Sequence, residues 1–394
     1  MKVVKSLFPI VVLMIAAFYG YQKYAQLPLS ATIGVTYLSH MLAIIVIGLS
    51  IRFSRSSLFF YVLLVILANM ILRLGWAGGD LGYGLLSALL PLLLVMVTIL
   101  PDRGIISIKA IPTYAAILFS GAFAMVVMMT SPGWASSAVL NDWLPVKYFD
   151  WTTQSQTVLG ISFASVYILL TLSILNPSLH RSAGFGVLLM LIAQLHYGAD
   201  SRSLNVFGSA ALLMCLYAIM QETWRMAYLD ELTGLPGRRA LSEKFQKISG
   251  NYTVAMLDVD HFKQFNDNFG HDAGDAVLRM IASKMSKVTG GGMPFRYGGE
   301  EFSILFTGKN SREAVRHLDA LREEIANKPF IIRRARRKGA GPPSSSTNNE
   351  SVQVTASIGF ADSSGNKGSP WDVLKLSDQA LYRAKGKGRN CISE

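Results

Sequence analysis

The residues best able to do chemistry are acids placed beside turns. Asp258 and Asp260 end a β-branched and apolar run, 252–258, and Glu300 and Glu301 follow Gly298-Gly299 between two short apolar runs. Lys385 and Arg389 stand four apart near the end of the chain. If the apolar runs are neighbouring strands, the acids converge at one edge of a sheet. Clustered carboxylates are hard oxygen ligands suited to Mg2+, which binds few protein carboxylates and takes its other ligands from phosphates and water. An isolated loop acid is usually just solvated. The glycines and cations around these acids favour a metal and phosphate site instead.

The elements that must position these groups follow from pattern. The run 252–258 reads as a buried strand. Residues 269–287 read as a loop and then a helix, and 294–297 and 302–307 as two short strands. Gly298-Gly299-Glu300-Glu301 joins those strands in a hairpin, because tight hairpins need positive φ. A helix over 311–327, a strand over 352–361 and a helix over 371–385 complete the order. The β-α-β-β-α-β order predicts an α+β ferredoxin-like domain, one mostly antiparallel sheet with helices on one face.

Gly298-Gly299-Glu300-Glu301-Phe302 resembles the signature of GGDEF-type diguanylate cyclases in its GGEEF form. Asp230-Glu231-Leu232-Thr233-Gly234-Leu235-Pro236 upstream resembles the family's D-x-L-T-G-L-P motif. Leu257-Asp258-Val259-Asp260-His261-Phe262-Lys263-Gln264-Phe265-Asn266-Asp267, with Gly270-His271-Asp272-Ala273-Gly274-Asp275, supplies a third motif. Ala380-Leu381-Tyr382-Arg383-Ala384-Lys385-Gly386-Lys387-Gly388-Arg389-Asn390 supplies a fourth. The resemblance covers about residues 228–391 and does not reach the first half of the chain.

The resemblance implies a nucleotidyl cyclase-like domain that joins two GTP into cyclic di-GMP and releases pyrophosphate. It implies Mg2+, two ions per active site, held by Asp258, the Val259 carbonyl and Glu300. Glu300 would also accept a proton, with Glu301 as a supporting catalytic acid. Backbone N–H groups of the turn through His261, Phe262 and Lys263 would face the phosphates, and Lys385 and Arg389 would add positive charge. Asn266 and Asp275 match the family's guanine readers. A carboxylate accepts from guanine N1–H and the N2 amino group, whereas adenine would leave those acceptors unpaired. Two facing domains are implied, hence a homodimer, with downstream cyclic di-GMP receptors as readers of the product. The rival from another class is a catalytically silent module that binds GTP or cyclic di-GMP. It should have lost Asp258, Glu300 or Lys385, and all three are present.

Three places depart from the family pattern. Gly237 stands where many members have Asn. The R-x-x-D that many members carry before the hairpin would fall near Thr289 and Gly292, and the segment Val288-Thr289-Gly290-Gly291-Gly292-Met293 has neither charge. The stretch 327–352 is longer than the family needs and contains Arg333-Arg334-Ala335-Arg336-Arg337-Lys338. That stretch reads as a disordered, solvated insertion, in preference to a lipid-headgroup contact.

The rest of the chain has a different solvent. Of 394 residues, 51% are hydrophobic and only 16% charged, against about 25% in an ordinary soluble protein. Residues 1–222 hold 11 Lys and Arg and 6 Asp and Glu, while 223–394 hold 26 and 19. The division predicts a membrane region over 1–222, sensory or dimerising, and an enzyme domain over 223–394. Eight apolar segments can be marked, at 6–20, 31–51, 58–72, 82–100, 111–130, 157–175, 184–197 and 206–220. Several approach the ~20 apolar residues a spanning helix needs.

With the N-terminus inside, Lys2, Lys5, Arg52, Arg55, Arg103, Lys109 and Arg181 fall on the cytoplasmic side. Lys23, Arg73, Lys147 and Arg202 fall opposite, so the bias follows the positive-inside rule. Eight spans place both termini in the cytoplasm of a bacterial inner membrane, with lipid as a partner. The net charge of +12 is covered by these flanks and by a polyphosphate site, with no need of nucleic acid. No A-x-A site follows the first segment, which reads as an uncleaved span. A transporter would hold charge within its spans, and these cores hold almost none. The aromatics of 131–156 read as an interfacial belt in preference to a ligand pocket. His40, Asn69, Gln194 and His196 read as interhelical hydrogen-bonding groups. Two cysteines, Cys215 and Cys391, form no disulfide framework or metal site.

Overall fold

A computed structural model describes residues 2–75, 79–102, 104–105, 107–198, 200–333, 349–364 and 368–394. Arg103 and the basic cluster from Arg334 onward lie outside the described residues. The chain divides into two compact units, Met1–Thr223 and Trp224–Glu394.

The first unit is helical: α1 (Lys2–Lys23), α2 (Leu29–Arg52), α3 (Ser56–Arg73), α4 (Gly79–Ile99), α5 (Ile111–Thr130), α6 (Pro132–Val139), α7 (Gln156–Leu175), α8 (Leu179–Tyr197) and α9 (Ser201–Tyr228). Each of the eight apolar segments lies within a helix, save for Leu100 just past the end of α4. Seven helical stretches are long and apolar enough to cross a membrane, and α8 falls short of that measure. His180, Arg181, Gln194 and His196 lower its apolarity. Most of α8 is buried inside the unit, so its surface meets other helices, where small residues serve better than bulk apolarity. A Cβ on Gly184 would lie 2.7 Å from the Tyr61 hydroxyl, and one on Gly186 would lie 2.5 Å from both Ile10 and Met214. By contrast α5 buries only Ile117 among its described residues.

The 131–156 loop also contains a helix, α6, that the aromatic spacing did not announce. The in-span polar groups differ from expectation. His40 Nδ1 meets the Thr36 carbonyl of its own helix at 2.8 Å, Asn69 Oδ1 is unpaired, and both polar atoms of the buried Gln194 amide lack partners. Only His196 reaches across, to Thr152 Oγ1 at 3.2 Å.

The second unit comprises α10 (Arg238–Lys247), β1 (Tyr252–Val259), α11 (Phe262–Phe269), α12 (His271–Met285), β2 (Met293–Gly298), β3 (Glu301–Thr307), α13 (Ser311–Ala326), β4 (Phe330–Arg333), β5 (Asn349–Val352), β6 (Ala356–Asp362), α14 (Pro370–Gly386) and β7 (Ile392–Ser393). The sheet runs β2-β3-β1-β6-β7. Its first four strands are antiparallel to their neighbours, as the β-α-β-β-α-β order requires, and β7 adds in parallel.

Helices cover both faces, not one. Ala255, Leu257 and Val259 pack with α12 and α13, while Tyr252, Val254 and Met256 pack with α10 and α14. All eight residues of β1 are therefore buried, which explains why its sequence is apolar at successive positions. Two further boundaries move. Residues 262–269 are helix, where the pattern named no element before a loop from 269, and the strand expected over 352–361 is two strands. The first of these, β5, pairs with β4, so the long insertion leaves and rejoins the unit through a two-stranded ribbon.

Candidate active site

Strand register brings the acids together. Asp258 in β1 lies directly opposite Glu301 in β3 and Ser357 in β6. Gly298 pairs with Glu301, so Gly299 and Glu300 alone form the β2–β3 turn. Gly299 has φ +50°, a conformation in which a Cβ would be strained. Directly opposed residues share a face of the sheet, so Asp258 and Glu301 stand on the side that α14 covers.

From α14, Lys385 Nζ approaches Asp258 Oδ1 at 2.9 Å. The helix can come this close because Gly359 of β6 has no side chain. A Cβ there would collide with the backbone of Ser377 and Leu381. Arg389 follows α14 with φ +65°, near enough for its charge to act on Asp258.

The electrostatics are those of an under-neutralised acid cluster. Burial pushes the Asp258 carboxyl up, the Lys385 hydrogen bond and charge oppose it, Asp260 adds to the rise and Arg389 subtracts. Burial also lifts Glu300, with the Asp258 charge adding and Lys385 opposing. Glu301 rises through burial, Asp258 and Asp378, against Lys385 and Arg238. Each acid is thus harder to ionise chiefly because it is partly buried, with a neighbouring carboxylate adding to the rise, and one lysine does not offset the two effects. A bound divalent cation would. Among the described residues no three His, Cys, Asp or Glu side chains form a ready-made metal cage. Two carboxylates and a carbonyl still fit an ion that completes its shell from phosphate and water.

Asp260 does something else. It accepts from Thr355 Oγ1 at 2.8 Å, Ser357 Oγ at 2.7 Å and the Asn390 backbone N–H at 3.0 Å. It fastens the segment after α14 to the sheet and has little capacity left for a metal, so it drops out of the carboxylate cluster that the spacing grouped it with. Phe262 is likewise structural in its side chain, which is buried in the core. What it offers is its main chain at the first turn of α11, entered through His261 at φ +55°, where helical N–H groups have no intrahelical partner. Lys263 beside it is exposed.

Asn266 and Asp275 stand on either side of the α11–α12 junction. Asn266 packs onto Gly274, where a Cβ would strike its amide, and Asn266 Oδ1 is buried without a partner. Asp275, next along α12, is half exposed and 3.9 Å from Arg279.

One residue escaped the sequence reading. Arg296 in β2 sends Nη1 to Asp230 Oδ1 at 2.7 Å and Nη2 to the Gly299 carbonyl at 2.7 Å. Its backbone N–H donates to the Pro236 carbonyl at 2.8 Å. It therefore ties the turn that carries Glu300 to the Asp230–Pro236 motif. Asp230 also accepts from the Thr233 N–H and hydroxyl, and together these bonds outweigh burial to hold its carboxyl below the usual range. The signal was present as an acid-led motif upstream and an arginine three residues before Gly299, but only the fold brings them together.

The family model described as "Diguanylate cyclase, GGDEF domain" matches residues 227–391. The C-terminal unit is a GGDEF domain. Response regulator PleD of Caulobacter vibrioides is 32% identical over 181 residues, covering 44% of this chain and 37% of PleD. Diguanylate cyclase DgcP of Pseudomonas aeruginosa is 37% identical over 179 residues, covering 43% of this chain and 24% of DgcP. The chain thus spans well under half the length of either relative. A solved structure of the coiled coil and GGDEF domain of DgcB from Caulobacter crescentus, in complex with c-di-GMP, is 29% identical and covers 45% of this chain and 91% of that one, with a TM-score of 0.39.

Proposed function

We propose that the protein is a membrane-bound diguanylate cyclase that condenses two GTP into cyclic di-GMP, releasing pyrophosphate, under control of its helical unit. The observation that carries this is the register of Asp258 opposite Glu301, beside Glu300 in its turn and Lys385 on Asp258. In this reading Asp258, the Val259 carbonyl and Glu300 would hold Mg2+, which when bound would supply acidification of the attacking 3′-hydroxyl and neutralisation of phosphate charge.

The chain's own residues do the rest. Glu300, its carboxyl raised, accepts the proton of the 3′-hydroxyl, and Glu301 supports it. Lys385, Arg389 and the first-turn amides of α11 receive phosphate oxygens, with Lys263 exposed beside them. The Asn266 oxygen and the Asp275 carboxylate accept from guanine. Each GTP lies on one domain, so a homodimer is required for the 3′-hydroxyl of each to reach the other's α-phosphorus. Counting α8 with the seven more apolar helices gives eight spans, with both termini cytoplasmic at a bacterial inner membrane. Incubating the full-length protein in lipid nanodiscs with GTP and Mg2+ should yield cyclic di-GMP by mass spectrometry. GTP bound but never converted would favour the silent binding module.

A further inference from the structure

A cavity of about 330 Å³ lies within the first unit, between α1, α4, α7, α8 and the loop before α7. That volume falls in the range of small-molecule sites. Among the described residues no Asp, Glu, Lys or Arg lines it, and its body is apolar, with Val166, Leu189 and Ile192 among the walls. Its polar groups are few and fixed. Ser87 Oγ, fully buried in the wall, has no hydrogen-bond partner among the described residues. His196 spends Nδ1 on Thr152 Oγ1 and lies 5.8 Å from the Trp151 ring, which leaves Nε2 as its second hydrogen-bonding atom. Gln154 is held in place by donating to the Leu195 carbonyl at 3.0 Å. A buried serine hydroxyl without a partner is costly, and a ligand hydroxyl or carbonyl would satisfy it.

We infer that this cavity binds an uncharged, largely apolar small molecule carrying one hydrogen-bonding end. Phe18 and Phe163, both in the wall, are exposed on the outer surface of the unit, so the cavity opens sideways and admits a molecule dissolved in the bilayer. Occupancy is read by α9. Tyr197, in the wall, stacks on Phe207 of α9 at 5.7 Å, and Phe18 meets the same ring edge-on at 5.4 Å. Phe207 is fully buried, so a shift in either neighbour moves it. The binding claim stands apart from the cyclase reading, and the regulatory consequence rests on it.

The test uses full-length protein in nanodiscs and 11-bromoundecanol, whose bromine quenches tryptophan. The expected result is saturable quenching that disappears in Trp151→Phe, the reporter. Affinity should fall at least tenfold in Ala193→Phe, which fills the cavity, and severalfold in Ser87→Ala, which preserves shape and so folding. The carboxylate analogue 11-bromoundecanoate at pH 8 should bind at least tenfold more weakly than the alcohol. Quenching that rises linearly with probe and is equal in all variants would mean simple partition into lipid and would overturn the site. Cyclic di-GMP synthesis that changes on probe addition in the wild type and not in Ala193→Phe would add the regulatory link. Saturable binding with unchanged synthesis would remove that link and keep the site.

Discussion

An amide in place of the Asp258 or Glu300 carboxylate keeps the side chain's volume but loses the charge that would hold a divalent cation. Asp258→Asn and Glu300→Gln should each reduce cyclic di-GMP synthesis by more than the roughly 10–100-fold typical of losing an outer-shell partner, in protein that still folds. Either variant at wild-type rate would remove the metal assignment. The raised acids also set a pH dependence. A carboxyl whose folded pKa lies above its unfolded value favours the fold while protonated and loses that contribution as pH rises through the folded value. Asp258, Glu300 and Glu301 all shift in that direction. Metal-free protein should therefore lose thermal stability as pH climbs above the ordinary carboxylate range, and Mg2+ should restore progressively more of it. A Mg2+ effect on Tm that is flat with pH would contradict the shared site. At the base, Asp275→Ser should let some ATP react, since a hydroxyl can pair with either purine edge, and strict GTP dependence in that variant would place guanine reading elsewhere. These acids were legible because glycines and apolar runs flank them. Asp260 was misgrouped because spacing cannot tell a free carboxylate from one already accepting three hydrogen bonds.

At the scale of elements, two contacts set the geometry that those residues need. Arg296 bridges Asp230 and the Gly299 carbonyl, so removing either partner frees the Glu300 turn. Arg296→Ala and Asp230→Ala should each lower kcat more than they raise KM. The double variant should show coupling of about 0.5–3 kcal/mol, as expected for residues in contact, whereas strictly additive effects would make the bridge incidental. Gly359→Ala would force α14 off β6, costing about 1–3 kcal/mol by overpacking and drawing Lys385 from Asp258. An unchanged Tm would contradict the close approach. The segment ahead of β2 makes a negative prediction. Where related domains place R-x-x-D, Thr289 is bonded to His317 at 2.7 Å, and Gly290 and Gly292 carry no side chain. Without a guanidinium to grip phosphate and guanine, micromolar cyclic di-GMP should barely slow the enzyme in a pyrophosphate assay. The strands were legible because apolar and β-branched runs ended at turn residues. Helices on both sheet faces were not, since an all-apolar strand reads the same whether a helix or another sheet covers it. Helix α11 was hidden for another reason, since its eight residues are mostly polar and begin in a left-handed His261.

For the whole molecule, the split between an apolar and a charged half was plain in composition, and the two compact units fall along it. The span count was harder, because His180, Arg181, Gln194 and His196 lower the apolarity of α8. If the helical unit brings two catalytic domains together, a fragment of residues 223–394 should be mostly monomeric and much less active per mole than the full chain. Sedimentation showing a tight, fully active fragment dimer would refute that control. The central claim, that Asp258 and Glu300 form a GTP-condensing site in this chain, is tested most directly by stoichiometry. Full-length protein in nanodiscs with GTP and Mg2+ should release two pyrophosphates for each cyclic di-GMP formed, and Glu300→Gln should release neither while still binding GTP. Pyrophosphate without cyclic di-GMP, or equal turnover by Glu300→Gln, would contradict it.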